Sequence, residues 1–182
     1  EKGILNDNDR VVVGNSNPDF IFGLSQTFRY KQFDLSFLIQ GVYGNDVINT
    51  LKYNFESNLG QSNNTTWKAY NNAWRGEGTS NSHPKIIESN KRVVYFSDRY
   101  VEDGSFLRLK NLNIGYNVSL KKNSLIQSLR VSFIATNLFT ITDYSGYDPE
   151  VNGFGSDPSR RGVDLGNYPN CRTFSLGVNA VF

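Results

Sequence analysis

Several residue types that build common functional sites are nearly missing from this chain of 182 residues. It has one Cys, one His and no Met. A single Cys excludes a disulfide framework and a Cys-rich zinc site. A single His, His83, argues against a His-cluster metal site or a His-based catalytic triad. Because the chain opens at Glu1 without an initiator Met, we expect an internal piece of a longer protein.

Charge of one sign is also scarce. The chain has 19 Lys and Arg against 17 Asp and Glu, a formal net charge of +2. Holding nucleic acid by its phosphates needs a larger positive excess, so we expect no nucleic-acid partner. No run approaches the roughly 18 apolar residues of a transmembrane helix, and no signal peptide is visible. The mean hydropathy of −0.46 is typical of a soluble protein. In a transmembrane β-barrel, however, only every second residue faces lipid, so the average hides the span.

Apolar and polar residues alternate over long stretches, which is the period of a β-strand. The pattern predicts five strands, at residues 20–30, 33–44, 106–119, 129–143 and 172–182. They are longer than the roughly 5–6 residues of an average strand and long enough for a tilted strand to cross a bilayer, which takes roughly 9–11 residues. Along each predicted strand, one set of alternate residues is apolar. The residues of the other set are small and uncharged, mostly Ser, Thr, Asn and Gly, which suits a wet lumen.

Aromatic residues near the strand ends and the lengths of the connections favour a barrel. Connections 31–32 and 120–128 are short, whereas 45–105 and 144–171 are long. In an up-and-down barrel both long loops then lie outside the cell and both short turns in the periplasm. A soluble β-protein with uneven loops is the alternative. The aromatics, as expected of girdles at the two membrane interfaces, are Phe20, Tyr30, Phe33, Tyr43, Tyr116, Phe139 and Phe182.

Five strands cannot close such a barrel alone, because full antiparallel pairing needs an even number and closure must remove every edge. We therefore expect further strands before Glu1. Loop 45–105 is too long to lack structure, and two short helices are expected within it. Asn45 or Asp46 would cap the first, and Thr65 or Thr66 would cap the second, which would end at Gly76.

At this point the sequence resembles a known family, the SusC/RagA family of TonB-dependent outer-membrane transporters, and specifically its C-terminal part. The resemblance covers nearly the whole chain, and its longest motifs are Val101-Glu-Asp-Gly-Ser105 and Tyr144-Ser-Gly-Tyr-Asp-Pro-Glu150. The other matching phrases are residues 14–20, 33–41, 43–46, 74–84, 97–111, 137–150 and 168–174.

The resemblance implies an all-β, antiparallel transmembrane barrel of about 22 strands filled by an N-terminal plug. It also implies the outer membrane of a Gram-negative bacterium, TonB acting through an N-terminal region absent here, and a SusD-like surface lipoprotein as lid. The chain would then supply the last strands and their loops to an importer of glycans or peptides. Many relatives carry a calcium-like loop upstream, so a Ca2+ ion near Asp9 is a minor alternative to a solvated acidic turn, although Lys2 stands where a ligand would be expected.

The candidate contacts with substrate or lid lie in the two long loops. Trp67, Tyr70 and Trp74 could stack on sugar rings or peptide side chains, although packing within the loop or on the lid is the favoured explanation. Arg160 and Arg161 lie beside Asp157 and Asp164 and are expected to contact loop or lid. A charged cluster is read as loop-anchoring hydrogen bonds and ion pairs; it consists of Asp98, Arg99, Glu102 and Asp103.

The end of the chain fits a signal for barrel assembly. Gly177, Ala180 and Phe182 match a Gly-x-x-apolar-x-aromatic pattern, and the alternative for Phe182 is an ordinary girdle residue. His83, before Pro84, is interpreted as a turn residue, and Cys171 as an inert thiol without a partner.

No catalytic constellation is found, so the chain is not expected to be an enzyme. Asp148 and Glu150 are paired carboxylates of the kind that glycosidases use, as are Glu102 and Asp103, but both pairs lie in stretches typical of turns. No phosphate-binding Gly loop or Ser-His-Asp pattern appears. The main alternative is a soluble all-β carbohydrate-binding module with Trp67, Tyr70 and Trp74 as its platform. A more distant one is a passive porin.

Overall fold

The long alternating segments form one antiparallel sheet in the computed structural model, which describes residues 7–57, 64–86, 96–121, 125–151, 153–155 and 157–182. The helices are α1 (Thr50–Glu56) and α2 (Trp67–Asn71). The strands are β1 (Phe20–Tyr30), β2 (Phe33–Tyr43), β3 (Asp46–Asn49), β4 (Val101–Asp103), β5 (Phe106–Val118), β6 (Ser128–Thr142), β7 (Val163–Asp164) and β8 (Thr173–Val181). The large sheet has the order β1-β2-β5-β6-β8, and each neighbouring pair is antiparallel. The all-β antiparallel fold is therefore confirmed.

The chain divides into two units. Residues 18–45, 104–150 and 168–182 form the sheet unit, which contains the five-stranded sheet. Residues 1–17, 46–103 and 151–167 form the loop unit. The five strands of the sheet unit have bounds that differ from the expected ones by at most one residue at each end.

The register places nearly all large apolar side chains on one face of the sheet unit, the apolar face. Leu24 pairs with Ile39, and Phe28 pairs with Leu35. Side chains of paired residues lie on the same face of a sheet, so the register carries this face across all five strands. Further along it, Ile114 lies beside Phe133, which lies beside Leu176. Leu176 is 81% exposed, so the face has no cover within the described chain.

Two irregularities keep this face continuous. Against β2, strand β5 has an extra residue between Leu109 and Asn111. Against β5, strand β6 has an extra residue between Thr136 and Phe139, where Asn137 has a φ of 49°. Because side chains alternate along a strand, one extra residue reverses its faces. The irregularity at Lys110 therefore returns Leu107 and Leu109 to the apolar face and turns Arg108 to the opposite one.

Aromatic pairs mark both ends of the β1–β2 hairpin. Phe20 and Tyr43 stack with ring centroids 5.1 Å apart. At the other end Phe33 and Tyr116 lie 4.5 Å apart. The turn between the strands is Lys31-Gln32, and Lys31 takes a left-handed φ of 53°. The apolar face is thus bounded by aromatics where the strands end.

The loop unit contains a second, smaller sheet with the order β4-β3-β7. Strand β3 pairs antiparallel with β4 and parallel with β7. The bonds that join these segments include Ile48 N–H to the Gly162 carbonyl at 2.7 Å and the Thr50 hydroxyl to the Asp164 carbonyl at 2.5 Å. The two long connections of the chain therefore fold together as one unit.

Both helices differ from their expected bounds. The first begins at Thr50, capped by Asn49, whose side chain accepts from the Lys52 N–H at 3.0 Å. It does not begin near Asp46, because residues 46–49 pair as β3. Thr66 caps α2 as expected, but the helix ends at Asn71, where Asn72 bonds back to the Lys68 carbonyl, and not at Gly76.

Among the residues that the structure describes, no helix is long and apolar enough to cross a membrane.

Candidate functional site

The second face of the sheet unit, the polar face, carries the side chains that could meet a ligand. It bears small polar residues such as Ser36, Asn113 and Thr136, as the sequence predicts. The expectation that it is uncharged is wrong, because Arg108 and Arg130 also lie on it. Each of these guanidinium groups is matched by a carboxylate, so the face tolerates the charge.

Arg108 is the most buried large side chain on this face, with 2% of its surface exposed. Its Nη2 donates to Asp148 Oδ1 at 2.5 Å and its Nη1 to Glu150 Oε2 at 2.9 Å. Its Nε donates to the Thr140 hydroxyl on β6 at 2.8 Å. A buried charge is stable only when it is paired and hydrogen-bonded. Arg108 therefore ties the segment after β6 back onto β5 and β6.

Asp148 is saturated by donors from three directions. Besides Arg108, it accepts from the Glu150 N–H at 2.9 Å and from the Asn170 N–H at 3.0 Å. Burial alone would raise the pKa of the Asp148 carboxyl. Its hydrogen bonds to Arg108 and to these backbone groups outweigh burial and hold the pKa below its usual value. The paired carboxylates noted in the sequence are thus occupied by structural partners.

A second charge pair crosses β5 near the end of the sheet that carries the Lys31-Gln32 turn. Arg130 on β6 donates from Nη1 and Nη2 to the two carboxylate oxygens of Asp34 on β2, both at 2.7 Å. The guanidinium passes over Gly115 on β5, where an added Cβ would collide with it. The glycine therefore leaves room for a bidentate clamp across three strands.

A polar cleft of about 360 Å³ opens on the sheet unit between the β5–β6 ladder and the segments around Asp148 and Asn170. Arg108 and Asp148 line it together with Asn137 and Tyr147. The remaining lining residues are Thr140, Thr142, Gly146, Pro149, Pro169, Asn170 and Arg172.

The aromatic residues singled out in the sequence are only partly brought together. Trp67 and Tyr70 lie on α2 with ring centroids 5.9 Å apart in an edge-to-face arrangement, and Trp67 is 79% exposed. Trp74 lies beyond the helix, where its N–H donates to the His83 carbonyl at 3.0 Å. The Arg75 guanidinium covers the Tyr70 ring at 5.1 Å. The exposed pair is thus Trp67 with Tyr70, and Trp74 does not share their helix face.

Arg160 and Arg161 lie at a different place in the loop unit. Arg160 packs over the Phe154 ring at 4.9 Å and its Nε lies 3.5 Å from Asp157. Both arginines line a cleft of about 430 Å³ beside Val12 and Asp46. Their role as loop or lid contacts stays a prediction.

The other predicted loop residues have defined surroundings. Glu102 on β4 pairs with Lys52 at 2.9 Å, an anchoring ion pair within the loop unit. His83 is buried and does not lie in an open turn; its Nε2 is 3.4 Å from Glu56 Oε2. Burial and the positive charge of Arg99 lower the pKa of His83, although Glu56 opposes them. Cys171 is exposed with a free thiol.

The residues of the expected assembly signal lie along and just beyond β8. Gly177 faces Ser132, whose hydroxyl donates to its carbonyl at 3.5 Å. Ala180 pairs with Leu129 at the apolar face, and Phe182 follows the strand and is exposed. Their signalling role stays a prediction.

No group of three His, Cys, Asp or Glu side chains within the described ranges is arranged to hold a metal ion. Asp9 is exposed at the end of a 3-10 turn. Lys2 and its neighbours before Asp7 lie outside the described residues, so calcium near Asp9 stays a prediction.

The partners of Arg108 and of Arg130 could not be predicted from the sequence. Asp148 follows Arg108 by 40 residues and Asp34 precedes Arg130 by 96, so no local spacing links either pair. A signal was available for Arg108. Leu107 and Leu109 are out of phase with Leu112, and that break in alternation indicates a bulge that turns Arg108 to the polar face.

Comparisons with known proteins find relatives that match nearly the full length of this chain. No family profile matches the chain. A protein named TonB-dependent receptor P3 from Formosa agariphila is 38% identical over 99% of this chain, which spans 18% of that relative's length. TonB-dependent receptor SusC from Bacteroides thetaiotaomicron is 29% identical, again over 99% of this chain, which spans 17% of that protein.

A solved structure shows the same architecture. The RagAB peptide importer in its open-open state contains a chain that matches 92% of this one with a TM-score of 0.73 and 28% identity. The matched part is 17% of that chain. The chain therefore spans less than a fifth of the curated relatives and of the solved chain that it resembles.

We predict that the buried ion pair of Arg108 with Asp148 stabilises the sheet unit far more than the partly exposed ion pair of Lys110 with Glu150. Arg108→Met leaves Asp148 charged and buried without its main partner, so the free energy of unfolding should fall by about 3–5 kcal/mol. Lys110→Met, the matched control, removes the other cation on Glu150 at a partly exposed site and should cost under about 1 kcal/mol. Urea unfolding of the intact protein measures both. Equal losses would contradict the assigned role.

We predict an acid-sensitive contribution from Asp148. Its pKa is lower in the folded state, so its stabilisation is complete above the usual Asp value of about 3.9 and is lost as the pH falls through the lower, folded value. Urea midpoints measured from pH 6 downward should drop below about pH 4. Asp148→Asn should flatten this drop, and an unchanged slope in that variant would show that another group causes it.

Proposed function

Because the chain belongs to the SusC/RagA family of TonB-dependent receptors, we propose that it forms part of the wall and rim of an outer-membrane importer in a Gram-negative bacterium. The proposed cargo is a glycan or peptide. A SusD-like surface lipoprotein would cap the importer, and TonB would drive it through a region outside this chain.

The observation that carries this proposal is the two-sided sheet. Five long strands present a continuous apolar face and, on the other side, a polar face with paired charges. Exposing such an apolar face to water is unfavourable by about 25 cal/mol per Å². Lipid on one side and a wet lumen on the other fit both faces.

The dimensions of the hairpin support a membrane span. The 11 residues of β1 span roughly 33 Å at a rise of about 3.3 Å per residue. A tilt of about 40° shortens this to roughly 25 Å along the membrane normal, the height of the apolar band in outer-membrane barrels. The Phe20–Tyr43 and Phe33–Tyr116 pairs then lie at the two interfaces, where aromatics are enriched.

Under this proposal the loop unit belongs to the outer rim. All three of its segments connect to the same end of the sheet, the end at Phe20, Tyr43 and Thr142. The short turn at Lys31-Gln32 would lie at the periplasmic end. Trp67 and Tyr70, which are exposed, are then available to substrate or lid.

The sheet unit supports transport without chemistry on the cargo. Asp148 and Glu150, the carboxylates that most resemble a glycosidase pair, are held by Arg108. A general acid needs a raised pKa, whereas the pKa of Asp148 is lowered.

The second candidate is a soluble carbohydrate-binding module, favoured by the exposed edge-to-face pair of Trp67 and Tyr70. It leaves the apolar face of the sheet unit without a neighbour. The importer accounts for both features and is therefore preferred.

The orientation of β8 separates the two functions. Val178 pairs with Val131 on the apolar face, whereas its neighbour Asn179 pairs with Arg130 on the polar face. If the apolar face meets lipid, Val178→Lys near mid-strand should cost about 2–4 kcal/mol and lower the amount of heat-modifiable, membrane-inserted protein. Asn179→Lys is the matched control and should insert normally. A soluble module would tolerate lysine at both exposed positions, so equal tolerance contradicts the barrel.

Uptake by intact cells tests the importer itself. Cells expressing the full-length receptor and its surface lipoprotein should accumulate labelled oligosaccharides or peptides, and an uncoupler of the inner-membrane gradient should abolish accumulation. The reason is that the force on a TonB-dependent receptor comes from the inner membrane. Uptake that survives the uncoupler would indicate a passive porin instead.

A further inference from the structure

The polar cleft beside Arg108 has the chemistry of a binding subsite. It lies wholly within the sheet unit, and its floor is rigid because Arg108 and Asp148 are buried and hydrogen-bonded. A rigid floor preorganises a site and lowers the entropic cost of binding. The opening includes the exposed side chains of Tyr147 and Arg172.

The charge of the cleft favours an anion. Arg108 is fully used by Asp148, Glu150 and Thr140. Arg172 also lines the cleft, and among the described residues no carboxylate pairs with it. Counting the ion-pair partners of Arg108, the cations Arg108, Lys110 and Arg172 stand against the carboxylates Asp148 and Glu150, which leaves one positive charge. A free guanidinium offers the paired N–H groups that match a carboxylate or a sulfate.

The uncharged part of the lining favours a sugar over an apolar peptide side chain. None of its described lining residues is Val, Leu, Ile, Met or Phe. Flat faces come from Tyr147, which is largely exposed, and from Pro149 and Pro169. Hydroxyl and amide groups come from Thr140 and Asn137. Ring faces beside polar groups suit the alternating C–H and O–H surfaces of a pyranose.

We propose that this cleft binds an acidic oligosaccharide, with its carboxylate or sulfate on Arg172 and a sugar ring against Tyr147. The inference rests on the proposed function and makes it more specific, because it names an anionic glycan as the cargo. Arg108 and Asp148 act as positioning residues that hold the cleft open.

The test uses the full-length receptor purified in detergent and three probes of matched size, trigalacturonate, sulfated galactotriose and neutral galactotriose. The wild-type protein should bind an acidic probe at least about tenfold more tightly than the neutral one, because a hydrogen bond between charged groups is about twice as strong as one between neutral groups. Arg172→Gln should reduce the ratio of acidic-probe affinity to neutral-probe affinity to about one, because it removes the charge that selects the acidic probe. Tyr147→Ala should weaken all three. The preferred acidic probe identifies carboxylate or sulfate as the recognised group.

The matched control is Lys121→Gln, which removes one exposed positive charge at the other end of the same sheet unit. Loss of preference in both variants would show long-range electrostatics and overturn the assignment to Arg172. Absence of binding of both acidic probes to the wild-type protein, or displacement of them by a tripeptide with a free carboxylate but not by its amide, would also overturn it. Heat-modifiable mobility verifies that each variant is folded.

The binding test of the cleft and the uptake test of the importer can fail independently of each other. If gradient-dependent uptake persists while acidic and neutral probes bind alike, the importer stands and the acidic cargo is wrong. If Arg172→Gln abolishes the preference but uptake ignores the uncoupler, the subsite stands and TonB-driven import is wrong.

Discussion

Alternation across five strands is the constraint on which the rest of this structure depends. Every residue on a strand faces opposite to its neighbours, so one inserted residue exchanges the apolar and polar faces from that point onward. The sheet contains such an insertion at Lys110, and the apolar face stays continuous because the insertion corrects the phase of Leu107 and Leu109. The same correction brings Arg108 to the polar face. A single irregularity thus sets both the surface that needs an apolar neighbour and the charge around which the cleft is built.

Ion pairs between arginines and carboxylates then hold particular segments of the chain against the sheet. Arg108 donates to Asp148 and Glu150 in the connection after β6, and Asp148 in turn accepts from Asn170 in the approach to β8. Near the Lys31-Gln32 turn, the ion pair of Arg130 with Asp34 joins β6 to β2, which are not direct neighbours in the sheet. Both devices match a guanidinium group with carboxylates, whereas no carboxylate of the described residues pairs with Arg172 in the cleft.

Much of the sheet could be predicted from the sequence, and most of the loop unit could not. Alternation is local, so it located the five long strands, the apolar parity and the turn at Lys31. Strand β3 has no such signature: residues 46–49 look like a capped helix start, and their pairing with β4 and β7 depends on segments far away in the chain. The end of α2 was misplaced because Asn72, and not Gly76, satisfies the last carbonyls. Asp148 and Glu150 can be recognised in the sequence as paired carboxylates, but their partner Arg108 can be identified only from the strand register.

The parallel pairing of β3 with β7 has a consequence for any change to the two long connections of this chain. Ile48 and Asn49 come from one long connection, whereas Val163 and Asp164 come from the other, and α1 begins on a bond to the Asp164 carbonyl. Neither connection can change length near this junction without leaving backbone groups of the other unsatisfied. A replacement of one loop alone would remove hydrogen-bonding partners of the other, so the two loops have to be exchanged together to keep the junction intact.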